Sequence, residues 1–230
     1  MDILYLLFLV TLIFTVVVQL KVSSTFKKYA HVSAGRGHTG AEVARRILDA
    51  HGLFSVRIER THGHLTDHYD PRSNTLRLSD SVYGSSSASA AGVAAHEVGH
   101  AIQHAEGYVP VIFRTKLAPV VSFASRFSWF AIMLGLLIGY MSTILGNYVV
   151  SFGIILFAAT TLFHLVTLPC ELNASRRALA ELELSGWYSG EELRASKKVL
   201  SAAAMTYVAA LAASLIQLLR LIRIFGNRRR

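Results

Sequence analysis

His96-Glu97-Val98-Gly99-His100 is an HExxH sequence that lies inside an apolar, alanine-rich run. No proline interrupts this run, so it predicts a helix. Residues four apart lie on one face of a helix, about 6 Å apart along its axis, so His96 and His100 can both reach one metal ion. Glu97 lies beside them, where it can take a proton from metal-bound water rather than act as a ligand. The stretch therefore predicts a zinc site with hydrolytic chemistry.

The residues before this helix predict one further helix and a small antiparallel sheet. Thr39 and Glu42 have the spacing of a capping box, and Gly52 follows as the end of that helix. A peptide that pairs with the edge strand of a sheet is bound through hydrogen bonds to its main chain. Helix, small antiparallel sheet and metal-binding helix is the order of the zincin fold, in which the strand nearest the metal pairs with an extended substrate. The predicted strands are residues 54–60, 65–69 and 75–78.

Composition indicates an integral membrane protein. Hydrophobic residues make up 53% of the 230-residue chain, which is a larger share than ordinary soluble proteins contain. Residues 3–20 form a nearly unbroken apolar run that is followed by Lys21. A secretory signal carries its positive charge before the apolar run, so we expect a retained anchor. The single cysteine, Cys170, excludes a disulfide within the chain.

Three further apolar stretches follow the motif. Residues 127–145 and 148–169 predict a transmembrane hairpin that turns at Gly146-Asn147. Residues 199–219 predict either a fourth span or a buried helix of the catalytic region, because length alone does not separate the two. The predicted segments are an anchor at 1–20, a zincin-like catalytic region at 21–116, a transmembrane hairpin at 117–170, a helical segment at 171–198, an apolar helix at 199–222 and a basic tail at 223–230.

The placement of Lys and Arg along the chain predicts how the protein is oriented in the membrane and which molecules it binds. Regions 21–116 and 172–198 are rich in both, whereas the turn at 140–148 has neither. This pattern places the large loop in the cytoplasm and the N-terminus outside. A full fourth span would carry the basic tail outward, against the same rule, so either that segment does not cross or the earlier helices set the topology. The net charge of +9 comes from residues that flank apolar spans, which favours membrane lipids with anionic head groups over nucleic acid as partners.

A third ligand is needed, because zinc hydrolases keep three protein ligands and leave the fourth position for water. In the metzincin pattern a histidine would stand where this chain has Glu106, so that pattern fails. His104 is eight residues from His96, about 12 Å along a helix, which is too far to share one ion. Glu171 is the better candidate, because its segment, LPCELNASRR at 168–177, resembles the glutamate-containing helix of gluzincins. The two predicted spans between His100 and Glu171 return the chain to the same side of the membrane, which is an independent check. The alternative for Glu171 is a solvated glutamate at a helix start.

Four segments in this order resemble the YugP-like family of prokaryotic neutral zinc metallopeptidases: LTDHYDP at 65–71, VAAHEVGHAIQH at 93–104, LPCELNASRR at 168–177 and AAAMTYVA at 202–209. The resemblance covers nearly the whole chain. It implies a membrane-bound zinc peptidase of prokaryotes whose catalytic part is a zincin. Together with the apolar stretches and the placement of Lys and Arg, it predicts an α+β membrane protein of a prokaryotic cell membrane, with three to four transmembrane helices and its site at the cytoplasmic face. The segment around Glu171 resembles the glutamate-containing helix of gluzincins, with Ser175 one turn further on.

Together these residues predict a zinc metalloendopeptidase. His96, His100 and Glu171 would hold Zn²⁺, and Glu97 would act as general base in the hydrolysis of a peptide bond of a protein or peptide substrate. Three other side chains have the chemistry to stabilise an oxyanion but stay outside the predicted catalytic set: His68, Tyr69 and Tyr207.

Two alternatives are open from the sequence. Membrane-anchored peptidases of the M48 type share the gluzincin ligand pattern, but they typically carry an acidic residue where this chain has Ser175. A membrane adaptor that binds polypeptide would use zinc structurally, and structural zinc usually has four protein ligands, often cysteines. An intramembrane protease is disfavoured, because the motif precedes the apolar stretch at 127–145 and follows a serine-rich capping sequence.

Overall fold

The computed structural model describes residues 3–226 and shows the predicted α+β membrane fold. Residues 1–2 of the predicted anchor and residues 227–230 of the predicted basic tail lie outside the described residues. The elements are α1 (Ile3–Tyr29), a 3₁₀ turn (Gly35–Gly37), α2 (Gly40–Ala50), β1 (Arg57–Thr61), β2 (His68–Asp70), β3 (Thr75–Ser79), α3 (Asp80–Tyr83), α4 (Ala88–Ala105), α5 (Val109–Ile138), α6 (Thr143–Leu184) and α7 (Gly190–Gly226).

The chain divides into two compact units. The helical unit contains the described residues of Met1–Val17, Ile112–Leu168 and Tyr207–Arg230. The mixed unit contains Val18–Val111 and Pro169–Thr206, and so holds the sheet and the motif helix α4. These units do not coincide with the segments expected from the sequence, whose boundaries stay predictions.

Four helices are long and apolar enough to cross a membrane: α1, α5, α6 and α7, with mean hydropathies of 2.7, 1.7, 2.2 and 2.0 in their most apolar windows. The predicted turn between the second and third of these is wrong. The helices α5 and α6 are joined by residues 139–142, and Gly146 lies inside α6. A Cβ atom at Gly146 would lie 2.6 Å from the Cα atom of Gly139. Gly146 therefore permits two backbones to pack closely, and this use of glycine gives the same sequence signal as a turn.

The sheet is mixed, whereas the sequence predicted an antiparallel one. Its strand order is β1-β3-β2, with β2 antiparallel to β3 and β1 parallel to β3. The alternation of side chains predicts which face of a strand is buried but carries no information on strand direction. Strand β1 begins at Arg57 rather than at residue 54, and Phe54 is 71% exposed in the preceding turn.

The core of the mixed unit fixes the position of α4. The predicted capping box of α2 is confirmed, with the Thr39 hydroxyl accepting from the Glu42 amide and the Glu42 carboxylate accepting from the Thr39 amide. The buried face of α2, the central strand β3 and the inner face of α4 contribute to one apolar cluster, which includes Leu48, Leu76 and Val98. Ser87 caps the N-terminus of α4 by accepting a hydrogen bond from the Ala90 amide.

Candidate metal centre

Two helices of the mixed unit bring three candidate ligands together. The helix α4 carries His96 and His100, and α6 carries Glu171 directly after Pro169 and Cys170. One ligand atom from each of the three side chains lies within 4.8 Å of the others. Their side chains are 13%, 11% and 2% exposed, respectively. The three residues predicted as ligands from the sequence therefore form one buried cluster.

Gly99, the glycine of the HExxH motif, allows α6 to pack closely against α4. A Cβ atom at Gly99 would lie 2.8 Å from the carbonyl oxygen of Ala174, which is a backbone atom of α6. A side chain at this position would force the two helices apart. The Gly99 position thus places Glu171 within reach of the two histidines, although the two segments are far apart in sequence.

The carboxylate of Glu171 lies against both imidazole rings. Its Oε2 atom is 3.2 Å from Nε2 of His96 and 3.5 Å from Nε2 of His100. A carboxylate with such low exposure needs a positive charge or several hydrogen bonds to compensate for its lost hydration. Two imidazole nitrogens and one carboxylate oxygen are also the protein ligand set of a common class of catalytic zinc sites. The donor atoms therefore fit a zinc ion.

The Nδ1 atoms of the His96 and His100 rings have polar partners. Nδ1 of His96 lies 3.1 Å from the hydroxyl of Ser175, and Nδ1 of His100 lies 2.9 Å from Oε1 of Gln103. The amide nitrogen of Gln103 donates to the carbonyl oxygen of Cys170 at 2.8 Å. The Gln103 oxygen therefore faces His100 and accepts from its Nδ1, which leaves the Nε2 lone pair of His100 available to a metal.

This hydrogen-bond network continues to the protein surface. The Gln103 amide nitrogen also donates to Oδ1 of Asn173 at 2.9 Å, and the same oxygen accepts from Nε of Arg177 at 2.8 Å. Arg177 in turn pairs with Glu106 at 2.7 Å. Glu106, which stands at the third-ligand position of the metzincin pattern, is thus engaged by a guanidinium that also holds the pKa of its carboxyl below the usual range.

Gln103 is the residue of this centre that the sequence did not reveal. It is fully buried and lies on α4 three residues after His100. A polar side chain on the buried face of an apolar helix was the available signal, because buried amides require partners. Its partners Cys170 and Asn173 lie on α6, so they could not be identified from local sequence.

Glu97 occupies a half-buried position on α4 beside the cluster. Burial raises the pKa of its carboxyl to about 7, and the negative charges of Glu171 and Asp67 act in the same direction, whereas His96 opposes them. A divalent cation nearby would also lower this pKa. A carboxyl whose pKa lies near neutrality is suited to exchange protons at physiological pH.

The remaining residues considered from the sequence lie outside the cluster of possible ligands. His104 packs its ring against Tyr69 of β2 at 5.7 Å between ring centres. The Tyr69 hydroxyl donates to Oδ1 of Asn74 at 2.8 Å. His68 is exposed on β2, with its Nδ1 atom 2.9 Å from the carbonyl oxygen of Thr66. Tyr207 belongs to the helical unit. These contacts give no catalytic role to any of them.

Comparison with known proteins identifies the family. A family described as "putative neutral zinc metallopeptidase" matches residues 4–226. The chain belongs to this family. The chain is also similar to a protein from Bacillus subtilis (strain 168) named "Putative membrane protease YugP". The two are 49% identical over 211 residues, which cover 92% of this chain and 91% of that protein. No solved structure matches the chain.

The family, the similar protein and the apolar helices together support three statements. The cofactor is Zn²⁺, and the cluster of His96, His100 and Glu171 offers a possible site for it. The protein has a protease role, which agrees with its similarity to a membrane protease. Its four apolar helices make it a membrane protein. The resemblance noted in the sequence is therefore confirmed.

Proposed function

We propose that this protein is a membrane-bound zinc metallopeptidase of the gluzincin type, in which His96, His100 and Glu171 hold the zinc and Glu97 is the general base. The observation that carries this proposal is the convergence of three ligand atoms within 4.8 Å on two helices. Within residues 3–226 this is the one group of three or more potential ligand side chains that could hold a metal ion.

The surroundings of the three residues favour a catalytic over a structural ion. Structural zinc sites are closed by four protein ligands, whereas catalytic sites use three. Zinc, when bound, lowers the pKa of a water molecule and polarises a carbonyl oxygen. Ser175 argues against the M48 type, because those peptidases typically carry an acidic residue at this position, whereas here the Ser175 hydroxyl contacts His96. These features support a peptidase over the zinc adaptor.

The proposed role of Glu97 is proton transfer. Its carboxylate would take a proton from the attacking water and pass it to the amine of the leaving peptide, so that the side chain is regenerated at the end of each cycle. The low solvent exposure around Glu97 supports this role, because burial raises the pKa of its carboxyl and so opposes the lowering that a bound cation would cause.

The edge of β2 is the proposed binding site for the substrate main chain. Within the described residues β2 pairs only with β3, so its other edge has no strand partner. It packs beside α4, where the Tyr69 ring contacts His104. An extended peptide that adds a strand at this edge would form main-chain hydrogen bonds irrespective of most of its side chains. Proteins or peptides are therefore the proposed substrate class.

The proposed location is a prokaryotic cell membrane, with the metal centre at the cytoplasmic face. Two observations support it. Lys and Arg are concentrated in regions 21–116 and 172–198, which contain most of the mixed unit, and cytoplasmic segments carry an excess of these residues. The similar protein named above comes from a bacterium.

One pair of variants tests the proposal in the full-length protein purified in detergent. The Glu97→Gln variant should retain about one zinc per chain but cleave a labelled unfolded protein at least about 100-fold more slowly, because general bases contribute that much. The Glu183→Gln variant is the matched control, because Glu183 is an exposed glutamate at the end of α6. Unchanged cleavage by Glu97→Gln would remove the general base from the proposal.

A further inference from the structure

A cavity of about 550 Å³ lies in the mixed unit between the end of α1 and the start of α7. The helix α1 contributes Lys21 and Lys28, which are seven residues apart and share a helix face. The helix α7 contributes Arg194, Lys197 and Lys198, which are three and four residues apart and share a face as well. Two cationic helix faces therefore line one cavity.

Ion pairs within residues 3–226 do not compensate the charge of this cavity. Its lining contains five cationic side chains and no carboxylate. Among residues 3–226, none of these five cations forms an ion pair with an acidic side chain. The Nζ atoms of Lys28 and Lys198 lie 5.6 Å and 5.9 Å from the centre of the Tyr29 ring, which is their aromatic partner. Five like charges that line one cavity repel one another, and an anion among them would relieve that repulsion.

The position of the cavity along both helices points to a lipid. The apolar run of α1 ends directly before Lys21, and Leu20 is 67% exposed at its end. The apolar part of α7 begins directly after Lys198, and Met205, which lines the cavity, is 37% exposed. The apolar stretches of both helices therefore border the cationic lining of the cavity. Phospholipids have this same order of acyl chain and charged head group, whereas a free phosphate ion has no apolar part.

We propose that this cavity binds the head group of an anionic phospholipid. The phosphodiester would lie among the lysine and arginine side chains, and the acyl chains would begin beside Leu20 of α1 and Met205 of α7. The cavity is in the same unit as the metal centre. Binding would therefore hold the catalytic part of the chain at the head-group level of an anionic membrane surface.

Native mass spectrometry of the full-length protein in neutral detergent tests this site. The probes are phosphatidylglycerol, phosphatidylcholine and inorganic phosphate. The cavity variant Lys21→Gln/Lys28→Gln/Lys198→Gln removes three charges from the lining. The matched control Lys27→Gln/Arg72→Gln/Lys116→Gln removes three charges from side chains that do not line the cavity. A second cavity variant, Ser201→Glu, leaves every lysine in place and adds a negative charge at an exposed lining position.

The expected result is that the unmodified protein and the control retain phosphatidylglycerol in preference to phosphatidylcholine, and that both cavity variants lose at least about tenfold of this retention. An excess of inorganic phosphate should not displace the lipid. Equal losses in the cavity and control triple variants would mean general surface attraction and would overturn the proposal. Displacement by inorganic phosphate would overturn it as well, because the ligand would then be a free anion. Zinc content in each variant reports on folding of the mixed unit.

Discussion

Gln103 Oε1 lies 2.9 Å from Nδ1 of His100, and this contact determines which nitrogen of the ring faces Glu171. The Gln103 amide nitrogen donates to the carbonyl oxygen of Cys170, so the Gln103 side-chain oxygen faces His100. That oxygen can only accept, and His100 Nδ1 must therefore donate. The lone pair of His100 Nε2 is then directed toward Glu171, which is the orientation that the proposed ligand role requires. A hydrogen bond outside the ligand set therefore prepares the centre for zinc.

Replacing Gln103 by leucine should lower zinc affinity by about 10- to 100-fold, because partners that orient metal ligands typically have effects of this size. Leucine has a similar volume but neither holds the His100 tautomer nor satisfies the Cys170 carbonyl. Competition with a chelator of known affinity measures the change. The control is Gln19→Leu, on the exposed side of α1. Equal zinc affinity in both variants would show that His100 needs no orienting partner.

Replacing Gly99 by alanine should weaken both zinc binding and stability. The added Cβ atom would lie 2.8 Å from the Ala174 carbonyl oxygen, so α4 and α6 must separate, at a cost of about 1–3 kcal/mol in the free energy of unfolding. Thermal unfolding and zinc content of the purified protein measure the two effects. Gly84→Ala is the control, because a Cβ atom there meets nothing within 4 Å. A Gly99→Ala protein with full zinc content would contradict the role given to this close approach.

Glu106 and Glu171 should respond differently to the same substitution. Glu106→Gln removes an ion pair with Arg177 at a position that is half exposed, which should change stability by no more than about 1 kcal/mol and leave zinc content unchanged. Glu171→Gln should lose most of the bound zinc, because a neutral amide is a poor replacement for a carboxylate ligand. Metal analysis after dialysis compares the two. If Glu106→Gln lost its zinc and Glu171→Gln retained it, Glu106 and not Glu171 would be the third ligand.

Removal of zinc should lower the melting temperature of the protein. The proposed ligands lie on α4 and α6, so an ion that binds only the folded protein should stabilise it by about 2.7 kcal/mol at a hundredfold excess over its Kd. Fluorescence of Trp187, which lies against Arg46 in the mixed unit, can follow the transition. Zinc added back after chelation should restore the melting temperature of the native chain but not that of Glu171→Gln. Equal restoration in both would contradict a ligand role for Glu171.

Features that depend on local sequence were predictable. The spacing of His96 and His100, the capping box of Thr39 and the serine cap of α4 depend on residues within one or two helical turns, and the structure contains each of them. Glu171 is predictable on other grounds, namely the resemblance of its segment to a gluzincin helix and the two predicted spans that return the chain to the same side of the membrane. The roles of these residues in catalysis stay predictions.

Features that depend on contacts between distant segments were not predictable. Gly146 has the sequence signal of a turn, yet its use is close packing against Gly139. The direction of β1 relative to β3 depends on how the chain crosses between them, and side-chain alternation does not record it. Gln103 acquires its role from partners on α6, far along the chain. In each case the missing information is the identity of the tertiary neighbour.

The most direct measurement is X-ray absorption at the zinc edge, made on the full-length protein and on Glu171→Ala, with zinc content determined on the same samples. One zinc per native chain, coordinated by two imidazoles and otherwise by oxygen, with the zinc lost in Glu171→Ala, is the expected result. Sulfur in the coordination shell, or an unchanged spectrum and zinc content in Glu171→Ala, would contradict a centre formed by His96, His100 and Glu171.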